Sequence, residues 1–122
     1  MTKKNDYPLQ KVSSKDLDFN KMNGLIPVIA QDFNSGTVLM LAFTNSKALK
    51  KTETTGYAHY WSRSRNVIWK KGEISGNLQQ IVEILVDCDK DTLIFKVKQN
   101  GPACHTGEPN CFFKKLLMGK EK

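Results

Sequence analysis

No apolar run in this chain approaches the length of a membrane span. The longest stretches, such as Val38 to Phe43, suffice for a single strand. The opening residues, Met1-Thr2-Lys3-Lys4-Asn5, lead into no apolar segment. No secretory leader is read there, and the expected location is the cytoplasm. Cysteine is scarce, with three residues at Cys88, Cys104 and Cys111. An odd number without a leader argues against a disulfide framework. Histidine is scarcer still, with only His59 and His105. Any zinc site must draw its soft ligands from these five side chains. Internal repeats and low-complexity tracts are absent. Acidic residues are in deficit, 12 against 19 lysines and arginines, which leaves a net charge of +7. That excess implies an anionic partner: nucleic acid, a phosphorylated small molecule or an acidic membrane surface. Part of it is peripheral, because Lys3, Lys4, Lys114, Lys115, Lys120 and Lys122 all lie near the termini.

The 122 residues fit one domain. A hydrophobic content of 39% with 25% charged residues describes a folded soluble chain rather than a disordered one. Residues 1–12 read as a flexible N-terminal arm, 13–118 as the folded domain and 119–122 as a C-terminal tail. Ser13 to Phe19 reads as the start of a short helix, with a serine as cap. Gly24 to Gln31 reads as a strand that Pro27 pushes towards an edge or a bulge. Asp32 to Gly36 is a hairpin turn. Thr37 to Ala42 is apolar enough for a strand buried on both faces. The clearest helix covers Ser46 to Thr54, capped by Asn45 or Thr44 and ended by Gly56. Tyr57 to Ser62 and Val67 to Lys70 flank the polar turn 63–66. Leu78 to Val86 and Thr92 to Lys98 form two further strands, joined by the turn Asp87-Cys88-Asp89-Lys90-Asp91. Residues 100–110 form a loop rich in proline and glycine. Cys111 to Met118 reads as a final strand or short helix. The sum is an α+β domain with a largely antiparallel sheet and one main helix.

Three segments carry chemistry. In the first, Asp87, Asp89 and Asp91 would share one face of an extended chain, with Cys88 on the other. Three close carboxylates repel unless a cation neutralises them. Oxygen ligands suit magnesium or calcium, and a thiolate suits zinc. An acidic hairpin turn with a structural cysteine would look the same. An EF-hand loop does not fit, because Thr92 and Lys98 stand where it needs glycine and glutamate.

The second segment is Gly101 to Cys111. Cys104 and Cys111 can reach a common ion, and Cys88 would be a third thiolate. Three protein ligands leave one tetrahedral position for water, the pattern of catalytic zinc. His105 directly follows Cys104, and adjacent residues rarely ligate one ion together. It reads better as a nearby general base, with ligation or neither role as the other options. Zinc-activated water attacks electron-poor carbons such as those of a purine ring. Nucleoside deaminases do so with a His-x-Glu motif that this chain lacks.

The third segment is Trp61 to Asn77, with Arg63 and Arg65 at spacing two and Lys70 and Lys71 beyond. Guanidinium forks and hydroxyls bind phosphate well. Gly72 and Gly76 allow close backbone approach to a ligand. Tyr60, Trp61 and Trp69 would stack on bases in a nucleic-acid interface. They serve equally as core for a solvated hairpin.

Together these segments resemble the phosphoribosyl-AMP cyclohydrolase family. The carrying stretches are Asn23 to Val28, Val38 to Phe43, Trp61 to Arg65, Lys71 to Asn77, Asp87 to Asp91, Gly101 to Gly107 and Cys111 to Phe113. The resemblance implies hydrolysis of the N1–C6 bond of the adenine ring of phosphoribosyl-AMP, a step of histidine biosynthesis. It implies zinc on Cys88, Cys104 and Cys111, magnesium on Asp87, Asp89 and Asp91, and proton transfer by His105. Arg63, Arg65, Lys71 and Ser75 are the expected substrate-binding residues, with Arg63, Arg65, Lys70 or Lys71 on one of the substrate's two phosphates. It further implies an intertwined homodimer in which Cys88 comes from one chain and Cys104 and Cys111 from the other. No nucleic acid or membrane partner is expected. Phe43-Thr44 and Ile74 depart from the family's usual Tyr-Met and Thr. The pyrophosphohydrolase domain fused to some relatives is not expected. Two other readings fit parts of the pattern: a zinc-stabilised nucleic-acid-binding module, and a deaminase-like hydrolase of another purine nucleotide.

Overall fold

The computed structural model describes residues 9–121. Most of the expected arm, residues 1–8, lies outside the described residues, as does Lys122 of the expected tail. Residues 9–12 are exposed and form no regular element. A single 3₁₀ turn follows at Ser14–Asp16, where Ser13 and Asp16 form a reciprocal capping box.

Strands β1 (Ile26–Asp32) and β2 (Val38–Thr44) form an antiparallel hairpin. Its turn is held by Asp32, whose carboxylate accepts the backbone N–H groups of Asn34 and Ser35 and the Ser35 hydroxyl. Helix α1 (Ser46–Thr55) begins where the Asn45 side chain accepts the Ala48 N–H at 2.8 Å. It ends at Gly56 in the left-handed region, φ +81°. Strands β3 (His59–Ser62) and β4 (Val67–Lys70) make a separate two-stranded hairpin. Strands β5 (Gln79–Val86) and β6 (Leu93–Gln99) pair antiparallel. The main sheet runs β2-β1-β6-β5, with β1 and β6 parallel. The result is a single α+β domain with mostly antiparallel pairing.

The core lies where the main sheet meets α1 and the β3–β4 hairpin. Ile26, Val28, Leu93, Phe95 and Val97 from the sheet meet Leu49 of α1 and Tyr60 of β3. Each large apolar side chain buried there contributes about 1.5–3 kcal/mol. Tyr60 stacks near Phe95 and Trp69, with ring centroids 5.7 and 5.1 Å away. Trp69 packs against the core, whereas Trp61 is half-buried and lines a surface cleft.

Four expectations need correction. Pro27 does not place its strand at an edge, since β1 is central, and the bulge that β1 carries against β2 falls at Ala30–Gln31 rather than at the proline. Pairing with β6 starts only at Val28, so proline's missing N–H falls before that ladder begins. Strand β2 is not buried on both faces: it is the sheet edge, and Val38 and Leu41 are exposed. Cys111 to Met118 forms neither strand nor helix, but an exposed irregular segment followed by a 3₁₀ turn at Gly119–Glu121. Finally, residues 87–91 form the expected turn, so the extended-chain geometry that would put the three carboxylates on one face and Cys88 on the other does not apply.

Candidate active site

The loop after β6 brings two of the three cysteines together. Cys104 N–H donates to Glu108 O and Ala103 N–H to Pro109 O, so the loop folds back on itself. Cys111 is fixed from the other side, its N–H donating to Leu39 O of edge strand β2 at 2.7 Å. The Thr106 hydroxyl donates to Cys104 Sγ at 3.0 Å. That hydroxyl and the Thr106 N–H hold the Cys104 thiol below its usual range against the effect of burial. The Cys111 thiol and the Lys71 ammonium add to the lowering. Partial desolvation pushes the Cys111 thiol up, and the neighbouring Cys104 sulfur raises it further. The two sulfurs lie close enough to act on each other, Cys104 held below and Cys111 above the ordinary thiol range. This is a donor pair that a soft divalent ion fits.

Cys88 does not join them within one chain. Among the described residues, Asp87, Asp89 and Asp91 are the one set of three Cys, His, Asp or Glu side chains whose ligand atoms lie within 4.8 Å of one another. Cys88 is exposed, with its thiol directed to Asp89 Oδ1 at 3.7 Å. It therefore does not face away from the carboxylates, as an extended strand would require.

The acidic turn gathers its carboxylates by curling. Lys90 takes φ +62°, and Asp87 Oδ1 accepts the N–H groups of Asp91 and Thr92. The Lys21 ammonium pairs with Asp91 at 2.9 Å and holds that carboxyl below its usual range. The free oxygens suit a hard divalent cation, and Lys21 supplies part of the neutralising charge when none is bound.

Lys71 and Arg63 serve different parts of the surface. Lys71 Nζ donates to Ala103 O, one residue before Cys104. The Lys71-to-Asn77 loop packs hard against the thiol loop. A Cβ on Gly101 would lie 2.2 Å from Asn77 Oδ1, and one on Gly72 would lie 2.3 Å from the Asn77 carbonyl carbon. Those two glycines let Asn77 fit between the segments. Ser75 is exposed, its hydroxyl accepting the Asn77 N–H, and Ile74 beside it is fully exposed. Arg63 stacks its guanidinium on Phe43 at 3.9 Å. It lines a cleft of about 740 Å³ with Asn23, Asn45, Lys47 and Trp61. Arg65 is exposed in the same turn, and His105 is exposed in the thiol loop.

A profile of the phosphoribosyl-AMP cyclohydrolase family matches residues 40–113. This stretch contains every candidate metal ligand, His105 and the basic hairpin. The chain belongs to the phosphoribosyl-AMP cyclohydrolase family. The phosphoribosyl-AMP cyclohydrolase of Methanothrix thermoacetophila is 62% identical over 99 residues, covering 79% of this chain and 82% of that protein. That of Cenarchaeum symbiosum is 55% identical over 102 residues, covering 84% and 94%. The histidine biosynthesis bifunctional protein HisIE of Aquifex aeolicus is 60% identical over 105 residues. The match covers 85% of this chain and 51% of that longer protein. Motifs far apart in sequence lie together: the Gly72 and Gly101 stretches both pack on Asn77, and the Cys111 N–H bonds to Leu39 O.

Sequence reading overlooked three features of this cyclohydrolase-family chain. Lys21 carries no motif signal. Thr106 was visible only as part of the cysteine loop. Gln79 did leave a signal, because it occupies the same strand face as apolar Ile81. It is fully buried, accepting the Tyr60 hydroxyl and donating to Gln99 Oε1 at 2.9 Å.

Proposed function

We propose that this chain hydrolyses the N1–C6 bond of the adenine ring of phosphoribosyl-AMP, giving the formimino-carboxamide ribonucleotide of histidine biosynthesis. The observation that carries the reading is the Cys104–Cys111 pair, built into the family's motif with a thiolate-favouring Thr106. Zinc is held by Cys104, Cys111 and the partner subunit's Cys88, so the functional unit is a homodimer. The separation of Cys88 from the other two thiols in one chain supports this sharing. Magnesium is held by Asp87, Asp89 and Asp91.

Bound zinc supplies Lewis acidity, which makes water a competent nucleophile near neutral pH. His105, exposed beside Cys104, takes a proton from the attacking water. The water oxygen adds to C6 and the N1–C6 bond breaks; His105 returns one proton to N1, and the water's other proton goes to the exocyclic nitrogen, which becomes the amide NH2. C6 becomes a carboxamide that keeps the exocyclic nitrogen, so no ammonia leaves. The Lys71–Ala103 hydrogen bond holds the backbone next to Cys104 and keeps a cation near the thiolates. Ser75 and Lys71 face one phosphate, and Arg63 with Arg65 the other, in keeping with the two ends of a long bis-phosphorylated substrate.

The experiment is growth of a bacterial strain deleted for its own cyclohydrolase, carrying this chain, on medium without histidine. Growth is expected, and its loss is expected with Cys104→Ser. Absence of growth despite soluble expression contradicts the proposal.

A further inference from the structure

Buried polar side chains are rare unless each polar atom has a partner. Tyr60 and Gln79 are both fully buried, at 0% exposure. The Tyr60 hydroxyl donates to Gln79 Oε1. Gln79 Nε2 donates to Met40 Sδ at 3.4 Å and to Gln99 Oε1 at 2.9 Å. Gln99 Nε2 in turn donates to Asn77 O at 3.3 Å and Asn100 O at 3.4 Å. The chain of bonds is closed: among the described residues no buried side-chain nitrogen or oxygen is left without a partner. An apolar pair would fill the same space with less desolvation, so this network does something that packing alone does not.

Its ends show what that is. One branch stops at Met40, next to Leu39, whose carbonyl holds the Cys111 N–H. The other stops at Asn77 and Asn100, which lead into the glycine contact between Asn77 and Gly101, three residues before Cys104. One buried amide thus connects the strand that anchors Cys111 with the turn that packs on Gly101 in the cysteine loop.

We infer that Gln79, oriented by Tyr60 and relayed by Gln99, is a positioning residue that sets the spacing between Cys104 and Cys111. The inference rests on the proposed function, because the spacing matters only if the two sulfurs share an ion. With both amide atoms committed, Gln79 cannot rotate without breaking at least two hydrogen bonds. Displacement of a reacting group by about 1 Å costs up to a hundred-fold in rate.

The test uses the full-length dimer loaded with cobalt(II) in place of zinc and followed by its thiolate-to-metal absorption, together with kcat and KM of the zinc form. In Tyr60→Phe/Gln79→Met both buried partners become apolar, and the freed Gln99 amide, part-exposed, can turn to water. The expected result is a melting temperature close to wild type, kcat down about ten-fold or more, KM within about two-fold, and an altered cobalt spectrum. Wild-type kcat and spectrum in the folded variant overturn the inference, as does a change confined to KM. If the double variant does not fold, Gln99→Met decides: it cuts only the outer link, and lowered kcat at unchanged melting temperature supports the inference, whereas wild-type kcat overturns it. A wild-type protein with neither turnover nor cobalt–thiolate absorption overturns the functional reading itself. Wild-type turnover with unaffected variants overturns only the positioning role.

Discussion

Gly72→Ala isolates the close approach of the two loops. Gly72 and Gly56 share the same φ, +81°. An L side chain in that region costs about 1–2 kcal/mol at either position. The surroundings differ. At Gly56 an added Cβ meets nothing within 4 Å. At Gly72 it would lie 2.3 Å from the Asn77 carbonyl carbon, 2.5 Å from the Asn77 oxygen and 2.5 Å from Leu78 N. All three are backbone atoms, so no side chain can swing away. Overpacking of this kind adds about 1–3 kcal/mol.

Gly56→Ala is therefore expected to cost about 1–2 kcal/mol and Gly72→Ala about 2–5 kcal/mol. At about 4 °C per kcal/mol for a domain of this size, the melting temperature falls by about 4–8 °C and about 8–20 °C respectively. The assay is thermal unfolding by circular dichroism of both variants in one buffer. Gly72→Ala should also lower turnover in protein that remains folded, because Asn77 and the Lys71–Ala103 bond must shift. Equal losses of melting temperature in the two variants would refute the reasoning.

Arg63→Ala removes a cation stacked on Phe43 at the surface cleft. KM for phosphoribosyl-AMP should rise about ten-fold or more, as expected for one lost charge-assisted contact, with melting temperature little changed. Unchanged KM in Arg63→Ala and Arg65→Ala together would remove both arginines from phosphate binding. Asp32 is held below its ordinary value of 3.8 first by the Ser35 N–H, then by the Ser35 hydroxyl and the Asn34 N–H. A depressed carboxyl contributes stability above its unfolded pKa and loses it as pH falls through the folded one. Asp32→Asn should thus melt lower than wild type at pH 7, and the gap should close as pH drops below 3.8; a gap that persists unchanged into acid refutes the assignment. Mixing inactive Cys88→Ser with inactive Cys104→Ser chains should restore activity on subunit exchange, because one of the two sites in each mixed dimer has all its ligands. No recovery despite demonstrated exchange contradicts ligand sharing.

Much of the fold was legible because local rules agree with the final structure. Asn45 and Gly56 bound α1 where capping chemistry places them, and polar turns separate the strand pairs. The errors arose where neighbours in space decide. Pro27 is tolerated in a central strand only because β6 begins pairing one residue later. The apolar stretch Thr37 to Ala42 looked buried on both faces, but it belongs to an edge strand. Nothing in the sequence announced that β1 and β6 lie parallel. The cysteine loop and the acidic triplet stood out by residue type and spacing. Their geometry did not: the carboxylates converge because Lys90 adopts a left-handed conformation, and Cys88 stays on their side. Gln79 was missed because a single polar residue on an apolar strand face gives no hint of the bonds it makes.

The most direct test of the account is the incubation of zinc- and magnesium-loaded protein with phosphoribosyl-AMP, with the product identified by mass and ammonia assayed in parallel. The predicted product is the substrate plus one water, formed without ammonia and abolished by a chelator that strips zinc. Ammonia release with an intact purine ring, or no reaction by fully loaded dimer, would contradict it.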